Sequence, residues 1–508
     1  MKNNIYTLSF IAYIIVLSLL LASTFSYNYM FSDEGTHLLL SIFYKDLISN
    51  LPSLGFSYQN AYDYSIDYLV HYPKLQIAYP PLYHLTNASV FSLTGPSLFV
   101  ARAVNLIFFN LTLVVFYILI KKYFTEKISF LTTLIFSLSF YSLFYASRAF
   151  QDFISFFFFL SSILVFSKAM ETKKIKYFLL LSATSALSIL GKQTSWILVI
   201  FFIFYIIYKN GIKTGTKQLI PFILFLIILL TPYMLILKSV GGFEINKIVA
   251  IGYAGQQGEP TSVLDPNFWL YFLIQPTYVA PFTILFVAVL AIYIYKKEKY
   301  WKEFLIFFLV FYISLSLIPN KEVRFSQLYL LPAYIAASVY LARLKNRLLI
   351  PAFLIVYILV SAAIFYPTLK PYPQQQLAEH LYSDTPSGAS IAFFSDDEPA
   401  YSSAIMATLL HLDKNRTAVT IRSCVFGNKT KEDILKVLDE ANTYFLVYSS
   451  WSKEKSIELI KGNIEKSFSV AENNLTTDVY IYKNFQNKKP EKPCNYICLT
   501  GEKICERT

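Results

Sequence analysis

Eleven long apolar segments fill the first three-quarters of this chain, and that repetition limits its fold more than any other feature. They fall at roughly 5–28, 94–120, 128–146, 152–168, 177–191, 194–208, 219–237, 269–295, 303–319, 326–342 and 349–366. Each is read as a helix long enough to cross a hydrocarbon core of about 30 Å. Of the 508 residues, 55% are hydrophobic, 18% aromatic and only 15% charged, far from a soluble average. The first segment lacks a strongly basic start and a small-residue cleavage pattern, so it reads as an anchor rather than a removed leader.

Charge sets the orientation. The net charge is +12, yet from Tyr366 onward there are 17 basic and 18 acidic residues, so the apolar part carries the excess. No basic face is concentrated in the soluble region, which excludes nucleic acid as the partner. Short lysine-rich loops at 121–127, 168–176, 209–217, 296–302 and 343–347 alternate with longer or lysine-poor ones. The positive-inside rule assigns the basic set to the cytoplasm. The amino terminus is then cytoplasmic, and everything after the last span is extracytoplasmic. The expected architecture is a transmembrane domain over 1–366, with a long first outer loop at 29–93, and a soluble α/β domain over 367–508.

The chemistry-bearing residues collect in the loops assigned to the outer side. Asp33 and Glu34 stand where the first span ends; a carboxylate beside a bilayer is costly unless something uses it. Such a group can take a proton from an attacking hydroxyl. His37 lies one helical turn beyond Asp33 and His84 at the far end of the loop, with a spacing that fits no strong zinc pattern. Tyr79 precedes Pro80-Pro81, which demand a fixed turn or the start of a helix. Arg148 and Asp152 would share a face if their turn is helical, as an ion pair or with Asp152 pointing into a cavity. Arg102, near the outer end of the second span, could bind phosphate, neutralise a carboxylate or snorkel. Lys192 sits alone between two apolar runs. Lys321 and Arg324 are three apart, which on a helical turn puts two cations on one side, a suitable grip for a lipid-linked phosphate. The loop at 238–268 contains Gly252, Gly255 and Gly258 and is pliable, without the context of a nucleotide-binding fingerprint.

These pieces resemble the GT-C superfamily of polytopic glycosyltransferases, in the branch of the protein O-mannosyltransferases and the lipid A aminoarabinose transferases. The matching strings are Phe31-Ser-Asp-Glu-Gly35, Tyr79-Pro-Pro-Leu-Tyr83, Ala101-Arg102, Ser147-Arg-Ala-Phe-Gln-Asp152, Gly191-Lys-Gln-Thr194 and Lys321-Glu-Val-Arg-Phe325. The resemblance covers about residues 5–345. It implies a polyprenyl- or dolichyl-phosphate sugar donor and inversion at the anomeric carbon. It implies Asp33 as catalytic base, Glu34 as its acidic neighbour and Asp152 as a second acidic position. Lys192, Lys321, Arg324 and, by local match, Arg102 would contact the donor phosphate. His37, Tyr79, His84 and Arg148 would support or position substrate. The Trp-Trp-Asp-Tyr-Gly string of oligosaccharyltransferases is absent, which favours single-sugar transfer and weakens the case for a divalent metal. No cofactor is required on this reading; membrane lipid, the lipid-linked sugar and a hydroxyl acceptor on protein, lipid or glycan are the partners. A plasma-membrane location follows from the same reading. The competing readings are a transporter or lipid flippase, and a non-enzymatic receptor or scaffold. Against the first stand the lack of a clear internal repeat and the scarcity of mid-span charge.

Beyond Pro367, segments 389–394 and 444–448 read as buried strands, 479–482 as another strand, and 400–412 and 431–441 as helices. About 130 residues can bury a core without a metal. Asp396-Asp-Glu398 could bind metal or sugar, or simply start a helix. Cys424, Cys494, Cys498 and Cys505 admit two disulfides in three pairings. Asn415, Asn428 and Asn474 match the glycosylation acceptor pattern.

Overall fold

The computed structural model describes residues 5–25, 30, 32–71, 79–239, 262–318, 321–346, 348–369, 381, 383–386, 389–394, 417–421, 431–440, 442–449, 460–472 and 475–485. The helix expected at 400–412, the loop glycines 252–258, the four cysteines, Asp396 to Glu398 and the three acceptor asparagines lie outside the described residues. The chain divides into two compact units. One comprises Met1–Ser26, Ile77–Tyr83 and Arg102–Leu369; the other comprises Tyr27–Gln76, His84–Ala101 and Lys370–Thr508.

The order of helices is α1 (Ile5–Ser23), α2 (Ser32–Asn50), α3 (Tyr58–His71), α4 (Leu82–Thr94), α5 (Leu98–Tyr123), α6 (Glu126–Ser137), α7 (Phe140–Ala146), α8 (Asp152–Thr172), α9 (Ile175–Gly191) and α10 (Trp196–Ser239). Then come α11 (Pro266–Val279), α12 (Thr283–Tyr295), α13 (Trp301–Leu317), α14 (Ser326–Arg343), α15 (Leu349–Phe365) and, among the strands, α16 (Lys431–Glu440). Among the described residues six helical stretches are long and apolar enough to span a membrane, or seven if the bent pair α6–α7 is one span. Their outward faces carry large apolar side chains such as Leu8, Leu19, Ile227 and Leu359, each more than half exposed, as lipid-facing surface requires. The chain is a multi-pass membrane protein.

Several apolar runs differ from uninterrupted spans, and each break has a local cause. The run 128–146 bends by 66° between α6 and α7, where Ser139 leaves helical geometry and its hydroxyl caps the amide of Ser142. The run 269–295 is two helices. Pro281 has no N–H to give and disfavours helical geometry in the residue before it, and Ala280 sits at φ −139°, ψ 79°. The two runs 194–208 and 219–237 are joined within α10 across Gly211, at φ 70° and ψ 167°. That conformation is open to glycine and strained for any side chain. The first loop holds three helices, α2, α3 and α4, and α4 starts directly after Pro80-Pro81.

In the second unit five strands form one sheet in the order β2-β1-β3-β5-β4. β1 (Ser390–Phe394) pairs in parallel with β2 (Thr417–Ile421) and β3 (Thr443–Ser449), while β5 (Leu475–Tyr482) runs antiparallel to β3 and to β4 (Ile464–Glu472). Ile391, Ala392, Leu446 and Val479 are wholly buried in it. The unbroken apolar run of β1 suits a strand covered on both faces.

Candidate functional site

Two helices fix the first half of the site. α8 and α9 form a hairpin, turned by Lys173 in the left-handed region at φ 55°. At the far end of this hairpin Asp152 opens α8 and Lys192 follows the last residue of α9. Lys192 Nζ donates to Asp152 Oδ1 at 2.5 Å, with both side chains largely buried. A charge-assisted bond of this length is among the stronger polar contacts available to a protein. Burial lowers the Lys192 pKa from its ordinary value, and the nearby Arg324 lowers it further, while Asp152 and Glu322 oppose both.

Close backbone approach makes that pair possible. Ser155 Oγ donates to the Ser188 carbonyl at 2.9 Å and Ser188 Oγ to the Ser155 carbonyl at 3.0 Å, a reciprocal clasp between the helices. Ser195 Oγ, in the short helical turn after Lys192, lies 2.9 Å from both hydroxyls. Small and hydroxylated residues at helix interfaces allow such contact in membranes. Gly191 completes it: a Cβ there would meet Ser155 Cα at 2.8 Å and Ser155 Cβ at 2.9 Å. Gly191→Ala must therefore push α8 from α9. Overpacking of this kind costs about 1–3 kcal/mol, and the expected result is a lower melting temperature. A variant with unchanged melting would show that the close approach is dispensable.

The other half comes from the segment before α14. A short 3-10 turn at Val323–Phe325 leads into that helix. Arg324 pairs through Nε with Glu322, and its guanidinium carbon lies 5.6 Å from the Tyr145 ring centroid and 5.8 Å from that of Phe150. Lys192 lies 5.1 Å from the ring centroid of Phe325. Asp152, Lys192 and Arg324 all line one open cavity. Phe153, Phe156, Phe159, Phe325 and Leu328 give it apolar walls; Tyr145, Ser155, Thr194, Ser195 and Gln327 add polar groups. Two cations, each already beside a carboxylate, thus edge a partly apolar cavity, an arrangement suited to an anion carrying an apolar chain.

Other expected residues are used differently. Lys321 and Arg324 do not share one side of a helical turn, because residues 321 and 322 are not helical. Lys321 is buried, with its ammonium 3.6 Å from the Phe268 ring centroid and 5.9 Å from that of Phe272, and it donates to the Ser316 carbonyl. It does not line the cavity. Arg102 likewise does not: it is fully buried and donates through Nη1 to the Phe25 carbonyl at 2.7 Å, beyond the end of α1. Snorkelling is overturned for the same reason. One turn along α5, Asn105 Nδ2 donates to the carbonyls of Tyr145 and Arg148 at 2.6 and 2.7 Å, which holds the turn before α8. The shared helical face expected for Arg148 and Asp152 is absent, since α7 ends at Ala146 and α8 starts at Asp152. Arg148 stacks on Phe144 at 3.7 Å and donates to the Phe144 and Thr368 carbonyls at 3.2 and 2.9 Å. It is a structural brace.

In the second unit, Asp33 and Glu34 occupy the first turn of α2, where a helix N-terminus favours negative charge by about 0.3–1 kcal/mol. Asp33 is partly accessible and Glu34 is fully buried. His37 and His84 are buried and joined, Nδ1 to Nε2, at 3.0 Å, tying α2 to α4. In the first unit, Tyr79 is half-buried just ahead of the proline pair. Among the described residues no group of three metal-ligating side chains converges.

Residues 78–236 match the family described as dolichyl-phosphate-mannose-protein mannosyltransferase. That segment contains Asp152 and Lys192 and stops short of Arg324. Among solved structures, ArnT from Cupriavidus metallidurans bound to undecaprenyl phosphate is 12% identical and superposes with a TM-score of 0.60, over 94% of this chain and 98% of that one. The apo form of the same protein gives 11% identity and a TM-score of 0.63, over 95% and 99%. Among curated proteins, none matches the chain.

Proposed function

We propose that this chain is a GT-C-type glycosyltransferase that transfers a single sugar from a polyprenyl-phosphate donor to a hydroxyl acceptor; the family match over residues 78–236 and the fold shared with ArnT support this reading. The observation that carries this reading is the cavity in which Lys192 and Arg324 stand together among aromatic walls. A phosphodiester would lie between the two cations, with its isoprenoid chain against the apolar side. ArnT, which shares the fold, has been seen with undecaprenyl phosphate.

The chemistry balances with this chain's own groups. By the family resemblance Asp33 is the base that takes the proton of the acceptor hydroxyl, whose oxygen displaces the phosphate at the anomeric carbon. The bond from that carbon to the phosphate oxygen breaks, its electron pair leaves with polyprenyl phosphate, and configuration inverts. Lys192 and Arg324 stabilise the charge that grows on the departing phosphate. Asp152 holds Lys192 in place. No metal is needed in this scheme, so turnover should survive chelation. The alternation of basic loops supports a plasma-membrane enzyme with a cytoplasmic amino terminus, working on the extracytoplasmic face.

The test is direct. Protein in lipid nanodiscs, treated with EDTA and given a labelled polyprenyl-phosphate sugar, should release polyprenyl phosphate when an acceptor is supplied. Lipid movement across sealed vesicles with no bond cleavage would replace this reading with a flippase.

A further inference from the structure

The charged groups lining the cavity are already paired: Lys192 with Asp152 at 2.5 Å, and Arg324 with Glu322. Gln327 is different. It is the second residue of α14, lines the same cavity and is only 8% exposed. Its Nε2 is buried and has no hydrogen-bond partner among the described residues. Buried amide donors are almost always satisfied, so this one calls for an acceptor that the chain itself does not supply.

We infer that Gln327 is a phosphate-binding residue, donating from Nε2 to an oxygen of the lipid phosphate; this rests on the function proposed above. A phosphate oxygen is an acceptor only, and the cations beside Gln327 select for one that is negatively charged. The division of labour has a physical consequence. Lys192 and Arg324 must give up part of their hold on carboxylates to take a phosphate, and that exchange is weakened by salt. The neutral amide has no counter-ion to release. It therefore supplies a share of affinity that salt leaves intact, and it fixes one oxygen while the cations rearrange.

Undecaprenyl phosphate titrated into nanodiscs holding the full chain tests this, at about 0.05 M and about 0.5 M salt, where screening differs strongly. Gln327→Met keeps the length and removes the donor. It should weaken binding roughly tenfold to a hundredfold, the scale of a hydrogen bond to a charged group. The loss should be equal at both salt concentrations, whereas Arg324→Met should flatten the salt dependence. Gln327→Glu keeps the shape and guards against misfolding of the first variant. Its binding should be weak at about pH 8 and recover towards about pH 4, as the carboxyl gains a proton and becomes a donor. A packing role would produce no such recovery. Wild-type affinity in Gln327→Met, or weak binding by Gln327→Glu at every pH, would overturn the assignment while leaving the proposed function standing. Failure of the unaltered chain to bind undecaprenyl phosphate would overturn both.

Discussion

Asp33→Asn is expected to lower sugar transfer by roughly a hundredfold to ten-thousandfold, the range for loss of a positioned general base. Binding of undecaprenyl phosphate should be unchanged, because the phosphate is assigned to Lys192, Arg324 and Gln327. Folding should be little affected. Asp33 is partly accessible in the first turn of α2, and losing one charge there costs about 0.3–1 kcal/mol. Glu34 provides the contrast. It is wholly buried, so Glu34→Gln should show first as a lower melting temperature. Single-turnover measurements separate the two: Asp33→Asn should slow the chemical step with bound donor present. Full-rate transfer by Asp33→Asn would remove this residue from the reaction.

Lys192→Met carries the second large effect. It removes one proposed phosphate contact and strands Asp152, whose side chain is only 21% exposed. Breaking a buried pair from one side costs about 3–5 kcal/mol, less where water reaches the remaining charge. The double variant Lys192→Met with Asp152→Asn should recover much of that stability and none of the phosphate binding. This pattern distinguishes a ligand-holding lysine from a structural one; a double variant that regained binding would assign Lys192 to the fold alone. The pH dependence has a definite sign. Protonated lysine binds phosphate, so affinity falls as pH rises through the Lys192 pKa, which burial and Arg324 hold below the ordinary lysine value. That alkaline limb should vanish in Lys192→Met.

Helix type and rough position were legible in the sequence because apolar runs are long and their breaks are chemical. Pro281 and Gly211 interrupt helices for reasons that a single residue states. Individual candidates were legible too: Asp152, Lys192 and Arg324 each interrupt an apolar context. Their pairing was not. The ion pair joins residues 40 positions apart, and local spacing suggested Arg148 as the partner of Asp152 instead. Spacing also grouped Lys321 with Arg324. The backbone at 321–322 is not helical, and Lys321 turns onto Phe268 while Arg324 reaches the cavity. Ser155, Ser188 and Ser195 left no signal, since hydroxyls are common in apolar helices and only contact across the hairpin reveals the clasp. Gln327 was missed for a similar reason: an isolated amide in an apolar run acquires meaning only from what it lacks.

The most direct measurement is a cryo-electron microscopy structure of the chain in lipid with undecaprenyl phosphate bound. Phosphate density within hydrogen-bond reach of Lys192 and Arg324 is the predicted result. Phosphate held at another set of residues, with these two side chains still clasped to Asp152 and Glu322 and the cavity empty, would contradict it.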